Sequence, residues 1–167
     1  MSTPQQTPHV VMLCGIAGAG KTTYAMQLVA KGYARLSIDE ALWHQFGRYG
    51  IDYAPDQYEA LQQTTELQLR NRLPELIRSG SDIVIDFSFW QRERRVMYRN
   101  LVLDAGGTPE LVYLKASRAL LLERLRGRGT RFDANAAFPV PENLLDAYLA
   151  GFEVPTSDEQ ATVIDQT

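Results

Sequence analysis

Eight consecutive residues, Gly15-Ile16-Ala17-Gly18-Ala19-Gly20-Lys21-Thr22, carry the strongest chemical signal in the chain. They follow the pattern glycine, four residues, glycine, lysine, threonine, which binds phosphate when it links a strand to a helix. Backbone N–H groups from Ala17 to Thr22 can converge on phosphate oxygens only if the loop wraps tightly, and glycine tolerates the positive φ and close approach this requires. A helix starting at Gly20 adds the partial positive charge of its N-terminus. Lys21 would reach the β- and γ-phosphates of a nucleotide, and the Thr22 hydroxyl would ligate Mg²⁺. A chance match to the pattern anywhere in a chain of this composition has a probability of roughly 0.002. Gly15, Ala17, Gly18, Ala19, Gly20, Lys21, Thr22 and Thr23 are therefore the expected nucleotide contacts, with ATP and Mg²⁺ as the implied cofactors.

Three further groups could complete a phosphoryl transfer. Asp39 follows the second apolar run, where a carboxylate would orient an acceptor hydroxyl and take its proton late in a loose transition state. An aspartate there also suits the N-cap of a helix over 39–46, so both roles stay open. Asp86 closes the run Ile83-Val84-Ile85, the pattern of a ligand to metal-bound water beside a phosphate loop. Arginines cluster as Arg92, Arg94, Arg95, Arg99 and as Arg124, Arg126, Arg128, Arg131. The second set enters the Gly-rich stretch Gly127-Arg128-Gly129-Thr130-Arg131, which is expected to close over ATP as a lid spanning 124–140, with Arg124 on the nucleotide and Arg128 on the transferring phosphoryl group. Cations complementing a helix C-terminus account for some of the four. Arg92 and Arg95 lie one helical turn apart, so one of them is expected to reach the acceptor or the γ-phosphate. Trp43 and the aromatic-rich residues around it place an acceptor-binding helical insertion over 40–79. His44 reads as a solvated or hydrogen-bonded side chain, and Phe46 as packing.

These groups need a frame. Apolar, β-branched runs at 10–14, 34–38, 82–86, 110–115 and 161–165 read as buried strands. Helices are expected over 20–31, 39–46, 56–79, 91–105, 117–126 and from Pro141 to about Gly151, with an Asp56/Glu59 capping box, a kink at Pro74 and a Ser117 cap. Strand–helix alternation with nearly continuous apolar strands predicts a three-layer α/β domain, a five-stranded parallel sheet with helices on both faces, and Asp86 closing the third run fits a kinase-type order, 2-3-1-4-5, in which strand 3 lies beside strand 1. In such a sheet, ligands bind beyond the carboxyl ends of the strands, where the phosphate loop, Asp39 and Asp86 all fall.

Composition sets the limits. The chain has 167 residues, 45% hydrophobic and 22% charged, which predicts one globular domain with residues 1–8 as a disordered tail. Net charge is −3, but residues 87–131 hold 10 basic and 4 acidic side chains while 132–167 hold none and 7. Overall acidity makes nucleic acid an unfavoured partner, whereas the basic block could face a polyanion as small as ATP. Cys14 has no disulfide partner and reads as a small buried residue; with His9 and His44 it makes no metal cluster. The opening MSTPQQTP has no apolar core and no run approaches a membrane span, so a cytoplasmic protein without membrane contact is expected.

With these residues in place, the chain resembles the small P-loop kinases of the zeta-toxin and chloramphenicol-phosphotransferase kind, often labelled AAA-family ATP-binding proteins. The resemblance runs from Val10 to Asp165. It is carried by Gly15–Thr22, by 82–95, by Leu121-Leu122-Glu123-Arg124 and by 144–155, which is similar to the family's post-lid helix and Phe-Glu-x-Pro turn. It implies ATP:alcohol phosphotransfer to a small hydroxylated molecule, with Lys21 on phosphate, Asp39 as base, Arg124 and Arg128 as nucleotide and lid arginines, and Val154-Pro155 near the adenine. A nucleotide-sugar acceptor is not carried over. A nucleic-acid 5′-hydroxyl kinase and an ATP-dependent switch without an acceptor are the competing readings, and no Asn-Lys-x-Asp guanine motif favours a signalling GTPase. The identity of the acceptor and the oligomeric state stay open.

Overall fold

The computed structural model describes residues 6–128 and 140–166. Five strands, β1 (His9–Cys14), β2 (Ala34–Leu36), β3 (Ile83–Ile85), β4 (Thr108–Lys115) and β5 (Thr162–Asp165), form one sheet of order β2-β3-β1-β4-β5. Every pairing is parallel, with Val10 opposite Ile83 on one side and Pro109 on the other. The expected strand order is the observed one.

Among the described residues, six α-helices connect the strands: α1 (Lys21–Val29), α2 (Ile38–Phe46), α3 (Tyr58–Arg78), α4 (Arg92–Asp104), α5 (Arg118–Arg128) and α6 (Glu142–Gly151). Alternating side chains of β1 feed two cores. Val10, Met12 and Cys14 pack with Ile83, Ile85, Leu69, Leu73, Ile77, Tyr98 and Val102 under α3 and α4. Val11 and Leu13 pack with Val84, Val112, Ala25, Leu121, Leu125 and Leu145 under α1, α5 and α6. The central strands are buried on both faces, and so read as unbroken apolar runs.

Several local expectations are corrected. The N-cap of α2 is Ser37, whose hydroxyl accepts from the Glu40 N–H at 3.2 Å, so Asp39 lies inside the first turn rather than at the cap. The Asp56/Glu59 box does not form: Pro55–Gln57 make a short 3-10 turn, in which the Gln57 side chain accepts from the Ala54 N–H. The helix α3 carries Pro74 inside it and runs to Arg78, as expected from sequence. Of the tail expected over 1–8, Pro8 is buried and its carbonyl accepts from the Thr108 N–H at 2.8 Å, while residues 1–5 lie outside the described residues. The helix α5 runs through Gly127 to Arg128, so those two residues are helical rather than loop. The Ser117 cap is present, with its hydroxyl accepting from the Leu120 N–H. No described helix is long and apolar enough to cross a membrane.

Candidate active site

The carboxyl ends of the strands open on a cavity of about 910 Å³. At its centre, the loop from Gly15 to Gly20 joins β1 to α1. Gly18 and Gly20 hold φ of 88° and 93°, and a Cβ on Gly15 would lie 3.1 Å from both the Ala19 Cβ and the Leu114 carbonyl oxygen. Glycine is required at these positions because the turn uses left-handed backbone and has no room for a side chain. The first turn of α1 has no acidic residue to compete for an anion. Lys21 Nζ donates to the Gly15 and Ile16 carbonyls, both at 3.0 Å, which folds the ammonium over the loop.

On the β3 side stands Asp86, its side chain 4% exposed. Its Oδ2 accepts from Thr22 Oγ1 at 3.3 Å and from Arg35 Nε and Nη2 at 3.0 and 2.7 Å. The Thr22 hydroxyl and the Asp86 carboxylate, expected from sequence to share a metal, therefore meet. Arg35, on β2, was not singled out by the sequence. Its position one strand out from Asp86 follows from the pairing of β2 with β3.

Beyond β2, Asp39 faces the same cavity from the first turn of α2, together with Tyr58 and Gln62 of α3, Trp90, and Tyr148 of α6. Trp90 and Tyr148 lie edge to face with centroids 6.4 Å apart. Burial pushes the Tyr58 hydroxyl well above its ordinary pKa, and the Asp39 carboxylate adds to the rise, as do the neighbouring tyrosines. On the opposite side, beyond β4 and β5, Arg124 Nη1 donates to the Gly18 carbonyl at 3.1 Å and Nη2 to the Gln166 side chain at 2.9 Å. Gln166 Nε2 in turn donates to the Ala19 carbonyl at 2.6 Å. Gln166 was missed because it belongs to no motif. Its signal was positional: it follows directly on the fifth strand.

Arg92 and Arg95 do not reach the cavity, which corrects the expectation for both. Arg95 is buried and donates from Nε and Nη2 to Glu159 at 2.7 and 3.1 Å, and from Nη1 to the Phe89 carbonyl at 2.8 Å. Arg92 binds Asp158 through both Nη atoms and Thr156 through Nη1. Two of the seven acidic residues after 131, Asp158 and Glu159, supply these partners, and the one-turn spacing of the two arginines serves that turn instead. Trp43 is half-buried outside the cavity lining, and Pro155 is likewise outside it, where Phe152, Ile164 and Gln166 line the wall. His44 pairs with Glu40 at 3.0 Å, one turn away on α2. Cys14 is fully buried, its thiol pushed up to about 11 chiefly by burial, and is a core residue. Arg128 ends α5, and the lid expected over 124–140 falls for the most part on 129–139, outside the described residues.

A family model described as AAA domain matches residues 10–155. The UPF0200 protein PAE1629 of Pyrobaculum aerophilum is 30% identical over 128 residues, 75% of this chain and 69% of that protein. Among solved structures, a candidate kinase from Chloroflexus aurantiacus superposes with a TM-score of 0.73 at 22% identity, covering 97% of this chain and 87% of that one. A gluconokinase from Sinorhizobium meliloti gives 0.64 at 19% identity, with 96% and 83% covered. Both likenesses are of fold.

Proposed function

The chain belongs to the AAA-domain family, and we propose that within it this protein transfers the γ-phosphate of Mg-ATP to a hydroxyl of a small molecule. One observation carries the reading: a phosphate loop with its lysine and threonine, and an aspartate two strands away, line a single cavity. A binding switch needs the first half of that arrangement and has no use for the second. The fold shared with kinases supports the reading without naming an acceptor.

The steps follow from the residues. Backbone N–H groups of 17–22 and the ammonium of Lys21 hold the phosphates, Lys21 exchanging its bonds to the Gly15 and Ile16 carbonyls for phosphate oxygens. Arg124, fixed between the Gly18 carbonyl and Gln166, lies on the β4-β5 side for the rest of the nucleotide, and Arg128 at the end of α5 is the candidate to meet the transferring group. The donor set fits Mg²⁺, a hard cation, since Thr22 and Asp86 offer a hydroxyl and a carboxylate oxygen 3.3 Å apart. When bound, the ion would offset charge on the β- and γ-oxygens. The acceptor hydroxyl is oriented by Asp39. Its oxygen bonds to the γ-phosphorus as the bond to the bridging oxygen of ADP breaks, and its proton passes to the Asp39 carboxylate. With Ser37 serving as the helix cap, Asp39 is not needed for that structural role.

Asp39→Asn tests the assignment. ATP binding should persist while transfer falls about 10²-fold, the scale of general-base loss. Unchanged turnover would remove Asp39 from the mechanism.

A further inference from the structure

We propose that Gln166 is a positioning residue for the nucleotide phosphates: its side-chain amide fixes the peptide between Ala19 and Gly20, so that the Gly20 N–H is presented to phosphate, and fastens Arg124 to the same loop. The inference rests on the phosphotransfer reading and deepens its nucleotide side. Gln166 follows β5 directly, and its own N–H carries the β4-β5 ladder one residue on by donating to the Lys115 carbonyl at 3.0 Å. That bond anchors the backbone from which the side chain reaches the loop. Its Nε2 donates to the Ala19 carbonyl at 2.6 Å, and its Oε1 accepts from Arg124 Nη2 at 2.9 Å. Arg124 Nη1 donates to the Gly18 carbonyl at 3.1 Å, so one amide and one guanidinium, joined to each other, clasp two successive carbonyls of the phosphate loop.

Peptide geometry is why those carbonyls matter. A trans peptide is planar, so a C=O and the N–H of the next residue point in opposite directions. The plane between Gly18 and Ala19 is held at both ends: Arg124 binds its carbonyl, and the Ala19 N–H donates to the Ile16 carbonyl at 3.0 Å. Gln166 holds the next plane by its carbonyl, which turns the Gly20 N–H away from β5 at the very start of α1. Gly20 has φ of 93°, and a glycine there would otherwise let the plane swing. The same glycine admits the clasp, since a Cβ on it would stand 3.4 Å from Gln166 Oε1 and 3.6 Å from Arg124 Nη1. Ala19 is 1% exposed, so its carbonyl calls for a partner within the protein. Successive backbone N–H groups hold an anion best when they are oriented before it arrives, because binding then bears less of the ordering cost.

Two variants test the clasp. Gln166→Met keeps the length of the side chain and removes its donor and acceptor, whereas Gln166→Asn keeps the amide and falls one methylene short of the Ala19 carbonyl. Binding of Mg-ATP and of Mg-tripolyphosphate is measured by isothermal titration calorimetry, with the ligand-free Tm followed alongside. Both variants should bind each ligand about tenfold more weakly, and by the same factor for the two ligands, because the loss lies at the phosphates. Combining Gln166→Met with Arg124→Met should cost less than the product of the two single losses, since the pair acts as one unit. In the ligand-free protein, the ¹H–¹⁵N resonance of the Gly20 amide should move in Gln166→Met. Those of Gly32 and Gly106, which precede β2 and β4 at the opposite end of the sheet, should stay, which separates positioning from general loosening. Unchanged affinity in both variants, an unmoved Gly20 resonance, or a loss for Mg-ATP without one for Mg-tripolyphosphate would overturn the proposal and leave the phosphotransfer reading standing. If the natural protein binds neither ligand, the phosphotransfer reading falls and the proposal with it.

Discussion

Arg95→Met separates two assignments for the same side chain. As an acceptor ligand, Arg95 would affect substrate affinity and leave the fold alone. The structure makes it a strut. Its guanidinium is 2% exposed, pairs with a Glu159 side chain that is 8% exposed, and donates to the Phe89 carbonyl. Phe89 holds φ of 46°, a conformation costing a non-glycine residue about 1–2 kcal/mol, and the Cys14 thiol donates to the same carbonyl. One residue earlier, the Ser88 carbonyl accepts from the Gly15 N–H at 3.0 Å, so the segment after β3 braces the start of the phosphate loop. Methionine keeps the volume of the arginine stem but strands the buried carboxylate, a change that costs about 3–5 kcal/mol. For a domain of this size that is a fall in Tm of about 6–20 °C, read by circular dichroism. Adding Glu159→Gln should restore part of the loss, because the orphaned charge is gone. Mg-ATP should bind more weakly to the single variant through the slackened loop. A drop in Tm of less than about 2 °C, together with a raised KM for the acceptor, would refute the strut and return Arg95 to the binding site.

Three other outcomes follow from the same geometry. Lys21→Met should abolish the rise in Tm that Mg-ATP gives the natural protein, about 5–10 °C at a hundredfold excess over Kd, while leaving the ligand-free melt nearly unchanged. Gly151→Ala should cost about 1–3 kcal/mol in denaturant unfolding, since the new Cβ would stand 2.8 Å from Trp90 Cζ3 and push the ring toward the cavity. Hydrogen bonds from Arg92 and Thr156 hold Asp158 well below the ordinary carboxylate range; burial works to raise Glu159, but hydrogen bonds from Arg95 and the Thr156 backbone leave it lowered. Carboxylates depressed in the folded state contribute stability that is present above their unfolded pKa, about 4, and lost as pH falls through the lower folded values. Tm should therefore hold between about pH 5 and 7 and decline below about 4, with a shallower decline in Arg92→Met.

What the sequence made legible was local or periodic. The phosphate loop is a contiguous motif whose glycines have one conformational use, and the sheet order follows from strand–helix alternation together with the expected position of Asp86 beside the loop. What it hid were partners far apart in the chain. Periodicity put Arg92 and Arg95 on one face of α4 but not what that face meets, which is a turn 64 residues later. Arg35 and Asp86 are 51 residues apart and adjacent only because β2 pairs with β3. The Asp56/Glu59 box matched a pattern that Pro55 preempted, since its fixed φ starts a tighter turn just upstream. Trp43 was drawn in by residue type, yet its helix turns Ile38 and Asp39 to the cavity and carries Trp43 elsewhere.

Strand order also explains why the chemistry is arranged as it is. Reading across the sheet from β5 to β2, the cavity meets Gln166 and Arg124, then the phosphate loop after β1, then Asp86 after β3, then Asp39 after β2. Under the proposed phosphotransfer, each strand end would add one function in the order the transfer uses them: nucleotide, phosphates, metal, acceptor. A parallel sheet with β3 beside β1 lets Asp86 touch Thr22 and keeps Asp39 one strand spacing farther out, which leaves room for a γ-phosphate between them. The bond from Arg35 to Asp86 then ties β2, the strand that leads to Asp39, to the proposed metal side. A shift of β2 along β3 would therefore disturb Asp39 and the Thr22–Asp86 pair together, and under the proposed phosphotransfer this coupling would position both ends of the transfer.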